Sequence, residues 1–191
     1  MQEKLLKWQN TKLRNQMIFT LPATMEVCNR KCPGCYAIKS QVRFPKALAY
    51  RERMLAYSKQ DDFVDSIVAE LAKSKRTIAA IRLHESGEFY SQAYIDKWVL
   101  IASKLPHLKF YTFTKRMKDF DFTALMQLPN FILIDSLMNG GLNYNTLDKL
   151  DHTKVICPAT TAEKAICGVD CKYCWDSSKV AQKEGIQFVK H

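Results

Sequence analysis

The most constraining feature of the sequence is the placement of its seven cysteines. Two triplets share one spacing, C-x3-C-x2-C, and no cysteine lies between residues 36 and 156. Cysteines that only fill a core would be scattered along the chain, so this clustering indicates a shared chemical role. The first triplet is Cys28, Cys32 and Cys35, the second is Cys167, Cys171 and Cys174, and Cys157 stands ten residues before the second.

The rest of the sequence favours metal or redox chemistry over disulfides for these cysteines. Residues 1–14 alternate charged and apolar residues and lack the apolar core of a signal peptide. Apolar runs such as Phe131–Ile134 are too short to span a membrane. We therefore expect a cytoplasmic protein with no membrane partner, in a reducing compartment where disulfides rarely persist.

Closely spaced thiolates on a tight loop are typical ligands of iron–sulfur clusters. Four thiolates close such a site, whereas three leave one metal position open, as in catalytic zinc sites. Seven cysteines divide into an open set, the first triplet, and a closed set of Cys157 with the second triplet, which predicts one or two 4Fe-4S clusters. Two alternatives stay open: a four-cysteine zinc site at the second triplet, and one site shared by both triplets.

Composition and charge describe an ordinary globular chain with a basic first third. Hydrophobic residues make up 47% and charged residues 25% of the 191 residues, which fits one domain with a small appendage. Residues 1–60 contain 12 Lys or Arg and 3 Asp or Glu, whereas residues 61–191 contain 17 and 16. The asymmetry favours a nucleic-acid partner bound through residues 1–60, and a solvated basic surface is the alternative.

Apolar periodicity predicts strands that alternate with helices. The predicted strands are Met17–Leu21, Thr77–His84, Leu108–Thr114, Phe131–Leu137, Lys154–Cys157 and Ile186–Val189. The predicted helices cover residues 1–14, Lys46–Lys59, a segment from Asp61, a segment capped by Ser91, and Phe122–Leu128. This pattern is typical of a parallel α/β sheet, either open and doubly wound or part of a barrel. We divide the chain into a basic N-terminal helix (1–16), an α/β core (17–158) and a cysteine-rich segment (159–191) that ends in a helix or strand.

The first triplet, in the string Cys28-Asn-Arg-Lys-Cys32-Pro-Gly-Cys35-Tyr-Ala, resembles the signature of the radical S-adenosylmethionine (SAM) superfamily. In that family three cysteines hold a 4Fe-4S cluster, and SAM occupies the fourth iron. Glu85–Glu88 resembles the family's Gly-Gly-Glu motif, Tyr111–Thr114 its strand ending in Thr, and Leu133–Leu137 its Ser-Leu-Asp strand. The resemblance covers roughly residues 17–158 and implies a partial (βα)6 barrel.

The resemblance also implies which residues contact SAM. These are Ser86, Gly87, Glu88, Thr112 and Ser136. Arg82 and His84 are the candidate catalytic residues, because positions two apart share a strand face and barrel active sites lie at the carboxyl ends of strands. His84 is expected to donate a proton or hold a substrate, and a histidine hydrogen-bonded to a neighbouring group is the alternative. An enzyme of this class also needs a reductase or another electron donor.

A second resemblance concerns the string His84-Glu-Ser-Gly-Glu-Phe in the middle of the chain and Cys-x3-Cys-x2-Cys-Trp near its end. Together they look like a little-characterised family of small phage and mobile-element proteins, which implies no particular reaction. Three functional classes follow. They are a radical SAM enzyme with an unknown substrate, for which nucleic acid is one candidate; a non-catalytic 4Fe-4S protein that binds nucleic acid or a protein partner; and a zinc-stabilised interaction module.

Overall fold

The structure is a computed structural model that describes residues 4–10, 13–29, 32 and 34–136, together with three short strands at 144–145, 155–156 and 186–189. The main sheet consists of β1 (Lys7–Trp8), β2 (Gln16–Phe19), β3 (Ala80–Leu83), β4 (Phe110–Thr114) and β5 (Phe131–Asp135). The helices are α1 (Met25–Cys28), α2 (Tyr36–Arg43), α3 (Pro45–Lys59), α4 (Phe63–Ala72), α5 (Gln92–Lys104) and α6 (Thr123–Met126). A separate parallel sheet contains β6 (Tyr144–Asn145), β7 (Val155–Ile156) and β8 (Ile186–Val189), with β8 in the middle.

The strands of the main sheet follow one another in chain order. Strands β2 to β5 run parallel, and β1 pairs antiparallel with the free edge of β2. Phe19 aligns with Leu83, and Leu83 aligns with Thr112, so the carboxyl ends of neighbouring strands meet at one edge. Right-handed crossovers in this order place the connecting helices on one face. The predicted parallel α/β class is confirmed.

The finer expectations about the sheet have different outcomes. A doubly wound sheet reverses its strand order at a switch point, and the described strands of the main sheet contain no such reversal. That sheet has five strands rather than the six of the expected partial barrel, because β6 to β8 pair with one another. The strands predicted at Lys154–Cys157 and Ile186–Val189 are present as β7 and β8, but they belong to this second sheet.

The main core lies between the sheet and helices α4 and α5. Aromatic rings dominate it, and the ring of Phe19 meets the rings of Phe63 and Trp98 edge-on, with centroids 5.5 and 5.3 Å apart. All three side chains are buried. Both helices carry apolar residues at helical spacing, which is why their positions could be predicted. Burial of each such ring contributes roughly 1.5–3 kcal/mol before entropy is counted.

The other face of the sheet carries a smaller cluster around Ala80 and Tyr111. The hydroxyl of Tyr111 on β4 donates to Oε1 of Gln16 on β2 at 2.6 Å, across the intervening strand β3. The Arg82 guanidinium lies over the rings of Tyr111 and Phe113, at 5.0 and 4.4 Å from their centroids. This face therefore combines aromatic rings with one cationic side chain.

The predicted helix at residues 1–14 is wrong for the part of that segment that the structure describes. Residues 4–10, which we call the N-terminal arm, form no helix and consist of a bend at Leu5 and Leu6 followed by β1. The backbone N–H groups of Leu5 and Leu6 donate to the carboxylate of Glu70 on α4, at 2.7 and 3.1 Å. Both leucines are buried. Pairing with β2 and with Glu70 satisfies the backbone without a helix, and the short apolar pattern fits either conformation.

The other helix predictions are largely confirmed. Helices α3, α4, α5 and α6 lie where the periodicity placed them. Ser91 caps α5 as expected, because its hydroxyl oxygen accepts the N–H of Tyr94 at 3.2 Å. Helix α4 begins at Phe63 and follows Asp62 rather than Asp61. The sequence did not predict α1 and α2, which flank the first cysteine triplet.

Candidate functional site

The first cysteine triplet lies in the loop that leaves the carboxyl end of β2. Cys28 is the last residue of α1, and Asn29 after it has the left-handed φ of 52° that ends this helix. Cys35 immediately precedes α2, and its N–H donates to the carbonyl oxygen of Cys32 at 3.2 Å. All three side chains are partly buried. The triplet therefore begins at the end of α1 and ends immediately before α2.

Electrostatic contacts show that the three thiols share one neighbourhood. Burial, together with the nearby Glu88, Cys35 and Cys32, raises the pKa of Cys28 to about 12, and the charge of Arg116 opposes this rise. The ammonium of Lys115 lies 3.5 Å from Sγ of Cys32. Within the described residues, no group of three or more Cys, His, Asp or Glu side chains is already arranged around one point as metal ligands are. The donor set nevertheless suits an iron–sulfur cluster, which thiolates bind.

The remaining cysteines, Cys157, Cys167, Cys171 and Cys174, lie outside the described residues. The second cluster, the zinc alternative and the site shared by both triplets therefore stay predictions.

The buried carboxylate of Glu88 holds the end of β4. Its Oε2 accepts the hydroxyl of Thr114 at 2.8 Å, and its Oε1 accepts the N–H of Lys115 at 2.9 Å. Burial raises the pKa of Glu88, and these two hydrogen bonds and the charges of Lys115 and Arg116 oppose that rise. Glu88 does not cap the nearby helix α5, because Ser91 makes that cap.

Gly87 and Ser86 are fixed by the loop that follows β2. Gly87 has φ of +84°, and a Cβ there would lie 2.6 Å from Cβ and 3.0 Å from the carbonyl oxygen of Leu21. The carbonyl oxygen of Ser86 accepts the N–H of Leu21 at 2.9 Å. The Ser86 hydroxyl oxygen is buried and, among the described residues, has no hydrogen-bond partner. The glycine thus permits close packing of two loops at the site, where the sequence suggested approach to a ligand.

The expectation that Arg82 and His84 share a strand face is wrong. Strand β3 ends at Leu83, and His84 has the left-handed φ of 57°, which turns its side chain to the helix side. There its Nε2 lies 3.1 Å from the hydroxyl of Tyr94, and its ring meets Phe89 edge-on. Arg82 points to the opposite face. Burial and the charge of Arg82 lower the pKa of His84 to about 3, so at neutral pH the imidazole carries no extra proton to donate.

Thr112 and Ser136 occupy the ends of β4 and β5. The hydroxyl of Thr112 is buried, donates to the carbonyl oxygen of Leu83 at 3.1 Å and lies 3.4 Å from Nδ1 of His84. The N–H of Ser136 donates to the carbonyl oxygen of Thr114 at 2.7 Å, and its side chain is half-buried. Ser136 is therefore at the carboxyl edge of the sheet next to Thr114, whereas Thr112 lies two residues earlier on β4.

Arg116 belongs to the site, although the sequence did not single it out. Its side chain is buried, donates from Nη1 to the carbonyl oxygen of Val27 at 3.2 Å and forms an ion pair with Asp119. It therefore ties the loop after β4 to α1, next to Cys28. A basic pair directly after a predicted parallel strand is the signal that could have drawn attention to Lys115 and Arg116 together.

The described residues thus define a parallel α/β protein with a cysteine loop, a buried carboxylate and two basic side chains at the carboxyl edge of its sheet. The chain belongs to the Gene product 88 family, whose model matches residues 2–172. This confirms the predicted relation to a family of small phage proteins. None of the curated proteins matches the chain, and none of the solved structures does. Among the described residues, no helix has the length and apolar character needed to cross a membrane.

Proposed function

We propose that this chain is an iron–sulfur protein in which Cys28, Cys32 and Cys35 hold a 4Fe-4S cluster, and that the iron left without a cysteine binds SAM for reductive cleavage. The observation that carries the proposal is the position of the triplet. The cysteine loop follows β2 and the Ser86–Glu88 turn follows the adjacent β3, at one edge of a parallel sheet. Ligand sites of parallel α/β proteins lie at this edge.

In the proposal, the cysteines, Glu88 and Arg116 at the carboxyl edge of the sheet have different roles. Cys28, Cys32 and Cys35 would hold the cluster, which would supply the electron for reductive cleavage of SAM, and an electron-donor partner would be needed to reduce the oxidised cluster again. Glu88 accepts a hydrogen bond from the SAM ammonium, since each carboxylate oxygen keeps a lone pair after its contact with Thr114 or Lys115. Arg116 holds the end of α1, and so orients Cys28.

A second function is supported by the contacts of the Ser86–Glu88 turn. Thr114 and Lys115 already engage both oxygens of Glu88, and the positive φ of residue 87 and its close contact with Leu21 account for a glycine there. On this basis the cluster could be a non-catalytic part of a protein that binds nucleic acid or another protein. The two functions differ in whether SAM binds at all.

The test is calorimetric titration of SAM into the anaerobically reconstituted protein and two variants. Glu88→Gln should weaken SAM binding roughly ten- to a hundred-fold, because a hydrogen bond to a charged group is lost. Glu85→Gln is the matched control: it lies in the same turn, but its Oε1 accepts the side-chain amide of Asn10 at 2.5 Å. The control variant should bind SAM as the wild type does, and both variants should keep their iron.

Product analysis completes this experiment. With dithionite as the reductant, the wild type should release methionine and 5′-deoxyadenosine from SAM, and Cys32→Ala should release neither. If the wild type with an intact cluster does not bind SAM at millimolar concentration, the enzyme proposal fails and the non-catalytic function replaces it.

A further inference from the structure

We propose that a basic cleft beside the N-terminal arm binds single-stranded nucleic acid. The cleft lies between the arm, the start of α3 and the end of α4, and its volume is about 960 Å³. Clefts that bind ligands typically measure roughly 300–1,000 Å³. The cysteine triplet is not part of its lining, so binding in this cleft does not require a cluster.

The lining of the cleft is strongly basic. Seven basic and two acidic side chains contribute to it, a formal excess of five positive charges. Lys4 and Lys7 come from the arm, Lys46 from α3, and Lys73 and Lys75 from the end of α4 or just beyond it; all five are exposed. In the part of the chain that the structure describes, these lysines form no ion pair with a carboxylate. Their charge is therefore available to an anion.

The two acidic residues of the lining are engaged in holding the protein together. Both oxygens of Glu70 accept backbone N–H groups of the arm, from Leu5 and Leu6. Glu85 accepts the side-chain amide of Asn10, which is also part of the arm. A concave surface with one dominant sign of charge concentrates counter-ions and raises their association rate. The cleft therefore favours a ligand that carries several negative charges.

A planar pair in the cleft favours nucleic acid over an acidic peptide. The guanidinium of Arg76 lies over the ring of the half-buried Trp8, 4.7 Å from the ring centroid. Unpaired bases stack on aromatic rings and on arginine planes. A duplex hides the faces of its bases and is read by elements that protrude into its grooves. A concave basic surface with an arginine over an aromatic ring therefore fits a single strand.

One end of the cleft approaches the candidate site. Thr20 and Glu85, which follow β2 and β3, contribute to its lining. The hydroxyl of Tyr36, the residue after Cys35, donates to the backbone oxygen of Glu85. A bound strand would pass beside the cysteine loop. That this strand is also the substrate rests on the proposed function, whereas its binding does not.

The test measures binding of a short fluorescent oligodeoxythymidylate to the full chain by anisotropy at increasing salt. The affinity of the wild type should fall steeply, because bound phosphates release counter-ions. The double variant Lys73→Gln/Lys75→Gln should bind more weakly, and its slope of log affinity against log salt should be smaller by about 1.4, since each phosphate contact on a single strand contributes about 0.7. The matched control Lys109→Gln/Lys118→Gln removes the same charge from exposed positions outside the cleft and should keep the wild-type slope.

Three results would overturn the proposal: no binding at low salt, an equal loss in both double variants, or more effective competition by polyglutamate or duplex DNA than by the unlabelled oligonucleotide. Cys32→Ala separates this proposal from the previous one. If that variant loses iron and SAM cleavage but binds the oligonucleotide, the cleft functions without the cluster. If the wild type has an intact cluster and cleaves SAM but does not bind the oligonucleotide, only the cleft proposal fails.

Discussion

Gly87 is fixed by a contact inside the protein rather than by a ligand. Its φ of +84° lies in the region that favours glycine, and its α-carbon packs against Leu21 at the start of the loop that carries the cysteines. Gly34, within that loop, also has a positive φ of +67°, but a Cβ there would have no neighbour within 4 Å. Gly34 is therefore favoured only by its backbone conformation, whereas Gly87 is favoured both by its backbone conformation and by its close packing against Leu21.

Gly87→Ala should destabilise the protein by about 2–5 kcal/mol, the sum of a left-handed backbone cost and overpacking against Leu21. Gly34→Ala should lose only the backbone part, about 1–2 kcal/mol. Chemical denaturation of both variants checks this difference. Equal losses of unfolding free energy would show that the contact between Gly87 and Leu21 contributes nothing.

His84 should make stability depend on pH below neutrality. Its pKa is lowered to about 3 in the folded protein from an ordinary value of 6.5, so the unfolded chain binds the proton more tightly. The stability from the neutral imidazole is complete above pH 6.5 and is lost as the pH falls toward 3, by at most about 1.4 kcal/mol per pH unit.

The measurement is the unfolding free energy against pH for the wild type and His84→Gln. The difference between the two curves should shrink as the pH falls below 6.5, because only the wild type must exclude a proton. The exposed His107 supplies the control, and His107→Gln should follow the wild-type curve. A constant difference between the wild type and His84→Gln would mean that His84 is not buried as described.

At the residue scale, the sequence predicted which side chains belong to the candidate site better than the directions in which they point. The spacing of Cys28, Cys32 and Cys35 is visible in the chain and indicated the cysteine loop directly. The orientation of His84 depends on a left-handed backbone that alternation along a strand cannot reveal. The role of Gly87 depends on Leu21, which is 66 residues away in the chain.

At the scale of elements, the N-terminal arm is held by groups distant in sequence. Besides Glu70, the hydroxyl of Tyr50 on α3 donates to the carbonyl oxygen of Leu5 at 3.1 Å. Local periodicity was sufficient for α4 and α5, where an apolar stripe faces the sheet. It was not sufficient for a short segment whose backbone partners lie on α3 and α4, and so the arm was predicted as a helix.

Glu70→Gln should loosen the arm, because an amide has one oxygen where two backbone N–H groups need acceptors. We expect a loss of about 1–3 kcal/mol in unfolding free energy and faster hydrogen exchange at Leu5 or Leu6. Glu52→Gln, an exposed change on α3 with the same loss of charge, is the control. Unchanged exchange at both leucines would contradict this anchoring.

At the scale of the whole molecule, the folded chain brings together features that the sequence holds apart. The basic surplus was assigned to residues 1–60, but the cleft also draws Lys73, Lys75 and Arg76 from beyond that limit. The candidate site likewise combines loops that follow β2, β3 and β4, from Cys28 to Arg116. The sequence predicted the parallel α/β class and the cysteine loop, while the contacts that join them required the fold.

The central claim is that the first triplet holds an iron–sulfur cluster, and iron and sulfide content of the anaerobically purified protein tests it most directly. Compared with the wild type, Cys32→Ala should lose about four irons per chain with their sulfide and part of the visible charge-transfer absorbance. Lys39→Ala, an exposed change on α2, should keep all of them. Full iron and sulfide content in Cys32→Ala, or zinc in place of iron in the wild type, would contradict the account.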